Sequence, residues 1–494
     1  MANGMPKTLH KISIIWVLIA VFILKEVLWV AVIPPREAPD ELGHYGYIES
    51  LFYENDLPLL GQARFSERVQ VAGTESAALC DNTTYRPTGQ VNWIAQHPPF
   101  YYLLLLPVFS VLPHDNVPFS IFILRFVSVL LGAVTLFFAW KTLERINPPD
   151  GRGGANSMVN IAIVGAIAFL PMFSYASAVM NNDNLIAALA AVLVYLLTLC
   201  CDDICGGKKP SRAASARHAF FVGLTLGILA LTKTTSLPLF AVVFAVFLMR
   251  FFTTARFTSA RGAKWYNSGK AQALLDVLIA FGVPLLFAGW WYARNFMVFG
   301  TFLPELKDAV ALNPYLLTEN PSLVMLFPEV APHADTAVSF WDFLFVKGFA
   351  VEYFKNIWGA FGRYFVQLSV WQYLPVGLFT LVGLYGCIVS AFIGRAKKAA
   401  ARSRSRMVLL LVLVIYIAAI TWKIYEITVD RGFLSAMHGR YFMPALLPFF
   451  YFFIKGWEYV LPPRMRSWAF AAMLCLFIAN DISALLYVVI PALY

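Results

Sequence analysis

Charge is what this sequence has least of. Only 13% of its 494 residues are Asp, Glu, Lys or Arg, whereas 60% are hydrophobic. That balance excludes a water-soluble globule and makes the bilayer the solvent. The alternating segments of about ten residues that mark a transmembrane β-barrel are missing. Heptads, short repeats and low-complexity tracts are missing as well, and nothing sets apart a separate soluble domain. Cysteine is sparse: Cys200, Cys201 and Cys205 fall near one helix end, Cys387 and Cys475 in apolar runs, and Cys80 in a polar loop. No disulfide framework follows, and three clustered thiols without other ligands do not make a metal site. A small-residue cleavage site is also lacking. Lys7, His10 and Lys11 precede an apolar run, Ile12 to Ile33, that is too long for a secretory signal and ends in Pro34-Pro35, so a retained signal-anchor helix is expected.

What the sequence does contain is a succession of apolar runs of about 20 residues, the length an α-helix needs to cross the hydrocarbon core. The expected class is an all-α polytopic membrane protein with spans near 12–33, 119–140, 158–179, 184–201, 218–232, 235–252, 272–294, 375–393, 407–425, 441–456 and 468–490. Basic residues concentrate in 202–217, 253–271, 394–406 and 455–467, which places these stretches in the cytoplasm and leaves a nucleic-acid role without support. Residues 34–96 carry nine acids against four arginines, and 296–374 seven acids against four bases, so these two long loops are expected outside. Segment 97–113 is apolar but short and bracketed by Pro98-Pro99 and Pro113. Charge parity makes it an embedded or interfacial helix that returns to the outer side. The result is about eleven crossings (ten to thirteen) in a multi-pass protein of the plasma (inner) membrane, with a cytoplasmic amino terminus. The expected divisions are a transmembrane module over 1–295 with juxtamembrane helices in its first outer loop 34–96, an outer-face loop or cap over 296–374, and carboxyl-terminal helices over 375–494.

The residues able to carry chemistry gather on the outer side. Asp40 and Glu41 follow the first helix exit, with His44 close behind, and taken alone they read as solvated charges. His97 opens the short apolar segment, and Asp183 sits in the turn Asn181-Asn182-Asp183-Asn184, which reads equally well as a helix cap. Lys233 marks the tip of a hairpin of two short helices, where snorkelling competes with capture of a lipid phosphate. Arg294 follows Trp290-Trp291-Tyr292, and Arg440 with Tyr441 begins another helix. Each alone is an interface anchor. As a set they form a site for an anionic, lipid-borne substrate. Arg125 is a further charge within a span, its depth open.

Pro39-Asp40-Glu41 with His44, His97-Pro98-Pro99, the Asn-Asp turn, Lys233 and Arg294 resemble the C-type (GT-C) polytopic membrane glycosyltransferases, which include protein O-mannosyltransferases and lipid A aminoarabinose transferases. Trp358-Gly359-Ala360-Phe361-Gly362 and Gly439-Arg440-Tyr441-Phe442 with Pro444 resemble more closely a family of bacterial membrane proteins with a Pro-Asp-Glu first outer loop. The likeness runs along nearly the whole chain, in short motifs. It implies transfer of a sugar from a polyprenyl-phosphate donor to a glycan, lipid or protein acceptor of the cell envelope, with inversion. The general base it implies is Asp40, with Glu41 as the alternative. Lys233, Arg294 and Arg440 would serve the donor phosphate, His97 would orient phosphate or sugar, and Asp183 would orient His44, His97 or the acceptor. It implies no required cofactor, although oligosaccharyltransferase members hold a divalent metal, so Mg or Mn stays open. A transporter or flippase of a lipid-linked or anionic solute is the competing reading, and an O-antigen polymerase or ligase a third.

Overall fold

A computed structural model describes residues 14–72, 74, 84–148, 155–202, 211–257, 269–326, 338–362, 366–393, 400–435 and 437–494. Lys7, His10, Lys11, Cys80, Cys205 and much of the basic stretches lie outside them. The first span, α1 (Ile14–Val32), stops where Pro34-Pro35 remove the next backbone donors. The following loop folds as α2 (Glu41–Tyr53), a two-stranded antiparallel sheet of β1 (Arg64–Ser66) and β2 (Pro87–Val91), and between these α3 (Glu67–Val71). Next comes α4 (Phe100–Phe109), which at ten residues is about 15 Å long and falls short of the bilayer core.

The chain then passes through α5 (Val117–Ile146), the bent pair α6 (Ala155–Ala168) and α7 (Pro171–Ser177), α8 (Asp183–Asp202), α9 (Arg212–Ala230), α10 (Pro238–Phe257) and α11 (Gly269–Phe299). The span expected at 158–179 is broken by 58° between α6 and α7, where Pro171 supplies no backbone N–H to continue the ladder. Short helices α12 (Leu306–Leu312), α13 (Tyr315–Glu319) and α14 (Ser322–Leu326) lead through the second long loop to α15 (Phe349–Gly359) and the antiparallel strands β3 (Ala360–Phe361) and β4 (Val366–Gln367). The last helices are α16 (Val370–Ile393), α17 (Ala400–Arg431), α18 (Leu446–Val460), α19 (Arg466–Ala484) and α20 (Ile490–Leu493).

Among the described residues nine helices are long and apolar enough to cross a membrane, and the α6–α7 pair makes a tenth. The segment expected to span at 441–456 opens instead with a 3-10 turn over Gly439–Ala445, and α18 itself is 15 residues, about 22 Å. The chain is therefore a multi-pass membrane protein. One apolar core runs from Ile15 to Val489 and joins early and late helices.

Two packing features set its geometry. Gly386 in α16 lies so close to α18 that a Cβ there would stand 2.0 Å from the Gly456 carbonyl oxygen, and one on Gly456 would stand 1.9 Å from that of Gly383. Small residues let helix backbones touch in lipid, where packing rather than water exclusion drives association. Gly386→Val is expected to destabilise the fold by about 1–3 kcal/mol or more through overpacking, read as a clearly lower melting temperature of the purified protein. Gly282→Ala, with open space around it, is the control and should melt like wild type.

The second feature is a polar knot inside the bundle. Lys25 of α1 lies 2.9 Å from both Glu26 and Asp481 of α19 and also donates to Ser174 of α7, and Ser174 donates to Asp481 at 2.7 Å. Lys25 donates to Ser174 and Asp481 and pairs in charge with its neighbour Glu26, which ties three helices together.

Candidate active site

Consecutive spans alternate direction, so one end of the bundle collects the described parts of the loops around residues 33–117, 178–182, 231–237, 300–369 and 432–445. Described basic residues Lys141, Arg145, Arg212, Arg217, Arg404, Arg406, Arg464 and Arg466 sit at the other. Arg125 organises the first end. From about two turns inside α5 it grips Glu41 with two bonds of 2.8 and 2.6 Å and donates to the carbonyls of Val30 and Ile33, which the end of α1 leaves unpaired. Glu41 also accepts from the Met180 amide at 3.0 Å. One ion pair thus fixes the exit of α1, the start of α2 and the turn before α8.

Fixing Glu41 presents its neighbour. Asp40 precedes α2 in the left-handed region (φ 65°) and caps nothing with its side chain. For a residue other than glycine that conformation is strained and persists only where surroundings impose it. The Asp40 side chain is 32% exposed, against 0% for Glu41. Its Oδ2 accepts from Arg440 Nη2 at 2.6 Å, and Arg440 Nη1 reaches the Pro39 carbonyl at 3.3 Å. On its other edge Arg440 Nε stands 3.1 Å from Asp183 Oδ2, and Lys233 Nζ bonds both Asp183 oxygens at 2.8 and 3.0 Å. Four charges from four loops therefore form one chain, Asp40–Arg440–Asp183–Lys233, joined through the rigid guanidinium. The Tyr441 ring lies beneath both cations, 5.0 Å from Lys233 Nζ and 5.6 Å from the Arg440 guanidinium.

A cavity of about 10 Å³, room for about one water, opens against Asp183 and Arg440 and is walled by Pro39, Tyr175 and Asn181. Lys233 is buried and paired, so it does not snorkel. Asp183 serves the two cations rather than a histidine. His44 donates or accepts at Nδ1 with Tyr102 (2.9 Å), finds no hydrogen-bond partner for Nε2 among the described residues, and stacks at 6.3 Å on His97. Arg294 stands apart on Trp291 and the Leu57 carbonyl. His438, absent from the sequence-based set, borders Asp40 and Arg440.

Burial works to raise the Asp40 pKa, but Arg440, reinforced by His44 and His438, outweighs it and holds the carboxyl well below the ordinary range. Burial drives His44 down to about 3, Asp40 opposing and Lys233 and Arg440 adding. His97, through burial and then Lys233, and His438, through burial and then Arg440, also fall well below their usual value. The imidazoles are neutral at pH 7, and the positive charge belongs to Lys233 and Arg440. For a divalent metal the donor set does not fit. Asp40 and Asp183 flank a guanidinium, and no group of three His, Cys, Asp or Glu gathers among the described residues.

Gly439 makes the position of Arg440 attainable. A Cβ there would stand 1.8 Å from the Asn356 carbonyl oxygen of α15. Gly439→Ala is therefore expected to displace Arg440 from Asp40. A structure of the purified variant checks it, and an unchanged Asp40–Arg440 bond would contradict it.

No protein-family model and no curated protein sequence matches the chain. Solved structures do. The archaeal oligosaccharyltransferase AglB of Archaeoglobus fulgidus, solved with an inhibitory peptide and a dolichol-phosphate, aligns over 97% of this chain at 13% identity with a TM-score of 0.53. The chain shares the fold of that protein. This chain spans 56% of the length of AglB. ArnT of Cupriavidus metallidurans bound to undecaprenyl phosphate aligns over 95% of this chain and 78% of its own, at 12% identity and a TM-score of 0.36. In this chain the four-charge site sits among the loops that follow α1, α7, α9 and α17.

Proposed function

We propose that the protein transfers a sugar from a polyprenyl-phosphate donor to an acceptor at the outer face of the plasma membrane, with Asp40 as general base. The observation that carries this reading is the chain Asp40–Arg440–Asp183–Lys233, in which a partly exposed carboxylate adjoins two cations able to hold a phosphate. The C-type fold supports it, as does the dolichol-phosphate held by AglB. In the reaction an acceptor hydroxyl attacks the anomeric carbon while Asp40 takes its proton. The bond from that carbon to the phosphate oxygen breaks on the opposite side, inverting the configuration, and its electron pair leaves with polyprenyl phosphate. Arg440 and Lys233 stabilise the charge that develops there in a site largely shielded from water. His44 and His97, neutral, supply hydrogen bonds to sugar or acceptor, and Arg294 lies further along the donor path. Glu41, locked by Arg125, holds the scaffold and leaves Asp40 as the base. The basic loops face the cytoplasm in this arrangement.

Lys233→Ala tests the phosphate role. Undecaprenyl phosphate should bind the full-length protein in lipid nanodiscs and bind the variant at least tenfold more weakly, the effect of about one charge-assisted hydrogen bond. Equal binding by both proteins would remove Lys233 from the site. The transporter reading draws on the Lys25–Glu26–Asp481 knot, because ionisable groups inside a membrane also mark transport paths. Donor turnover separates the two.

A further inference from the structure

Arg440 is committed on both edges before any substrate arrives. Its Nη2 holds Asp40 at 2.6 Å, its Nε stands 3.1 Å from Asp183, and Asp183 is at the same time bonded twice by Lys233. Two cations and two carboxylates neutralise one another. A phosphate group entering this site brings negative charge and acceptor oxygens to donors that carboxylates already occupy, so one carboxylate has to give way.

The two carboxylates differ in their freedom to do so. Asp183 is 5% exposed, held by both cations, and its backbone amide is pinned to Asn181 Oδ1 at 2.8 Å. Asp40 is 32% exposed, is bound through one oxygen to one cation, and occupies a strained left-handed backbone conformation that relaxation would relieve. Its departure leaves Asp183 and Lys233 paired and the guanidinium fork open toward the vacated side. A fork of planar donors matches phosphate oxygens in pairs.

We propose that the donor phosphate takes the Arg440 guanidinium over from Asp40, so that donor binding itself releases the catalytic base. This rests on the functional reading above and adds regulation to it. While clamped, Asp40 is a poor proton acceptor because Arg440 stabilises its charge. Once released it returns toward the ordinary carboxylate range and regains basicity. An acceptor or a water reaching the empty site meets a base that is switched off. Coupling between the two events is reciprocal, so whatever removes Asp40 from Arg440 must tighten the phosphate.

A double-mutant cycle read by binding alone tests this. Undecaprenyl phosphate is titrated onto the full-length protein in nanodiscs for wild type, Asp40→Asn, Arg440→Gln and the double variant. Asp40→Asn is expected to bind about tenfold more tightly than wild type, the fold-change of one charge-assisted hydrogen bond no longer competing. In the Arg440→Gln background the same substitution is expected to change nothing, because the contested donor is gone. Equal tightening in both backgrounds would reduce the effect to removal of a like charge and overturn the switch. So would unchanged or weaker binding by Asp40→Asn. If Arg440→Gln binds too weakly to titrate, a structure of wild type with the lipid decides. The proposal requires Arg440 on phosphate and Asp40 out of hydrogen-bond range, and an intact Asp40–Arg440 bond beside bound phosphate refutes it. Absence of binding by wild type would instead overturn the functional reading itself.

Discussion

Asp40→Asn is expected to lower kcat by about 100- to 10,000-fold, the usual contribution of a general base, while the protein folds and reaches the membrane as wild type does. The substitution keeps the shape of the side chain and removes the group that accepts the proton. The fold should survive, because Asp40 caps no helix, its side chain is 32% exposed, and Arg440 keeps Asp183 as a counter-charge 3.1 Å away. Loss of turnover should therefore come with donor binding that is retained or improved. That combination distinguishes a lost base from a lost phosphate ligand, since Lys233→Ala weakens binding. Single-turnover kinetics at saturating donor measures the chemical step directly. A variant that turns over like wild type would remove Asp40 from catalysis.

The largest effect on stability is expected at Glu41. Glu41→Gln leaves the Arg125 guanidinium, 2% exposed, without its counter-charge inside the bundle. Breaking a buried pair from one side costs about 3–5 kcal/mol, because an uncompensated charge then stays out of water. The junction of α1, α2 and α8 rests on that pair, so turnover should fall together with the unfolding midpoint. Adding Arg125→Met should restore part of the midpoint, since the stranded charge goes with it; recovery is partial because Val30 and Ile33 lose a capping donor. Chemical unfolding of the four proteins in one detergent reads the coupling. Strict additivity of the two substitutions would contradict a direct pair.

These effects also mark how far sequence alone carries. Apolar runs located the spans, because hydrocarbon leaves little choice about what crosses it. It was backbone chemistry that shifted boundaries, as at Pro171, which breaks one expected span, and around Pro444, where a 3-10 turn replaces the first helical residues. Residue types and membrane side were enough to bring Asp40, Asp183, Lys233 and Arg440 forward as candidates. Their partners were not legible, since Arg440 and Asp40 lie 400 positions apart and only the helix packing brings them to 2.6 Å. Arg125 was visible as a charge within a span, but its match to Glu41 rather than to a substrate needed coordinates. Lys25-Glu26 within the first apolar run is a signal the sequence carries openly, and Asp481 near the end of the last run is its answer. His438 shows no such mark, because a lone histidine before a Gly-Arg pair gives no sign of what it borders.

The central claim is that a partly exposed Asp40 accepts a proton while Arg440 and Lys233 carry the departing phosphate. Its most direct test is release of free polyprenyl phosphate by the purified protein in lipid, supplied with a panel of polyprenyl-phosphate sugars and envelope acceptors. The account predicts acceptor-dependent release by wild type and loss of that release in Asp40→Asn despite bound donor. Donor bound by wild type with no polyprenyl phosphate released under any acceptor, or equal release by Asp40→Asn, would contradict it.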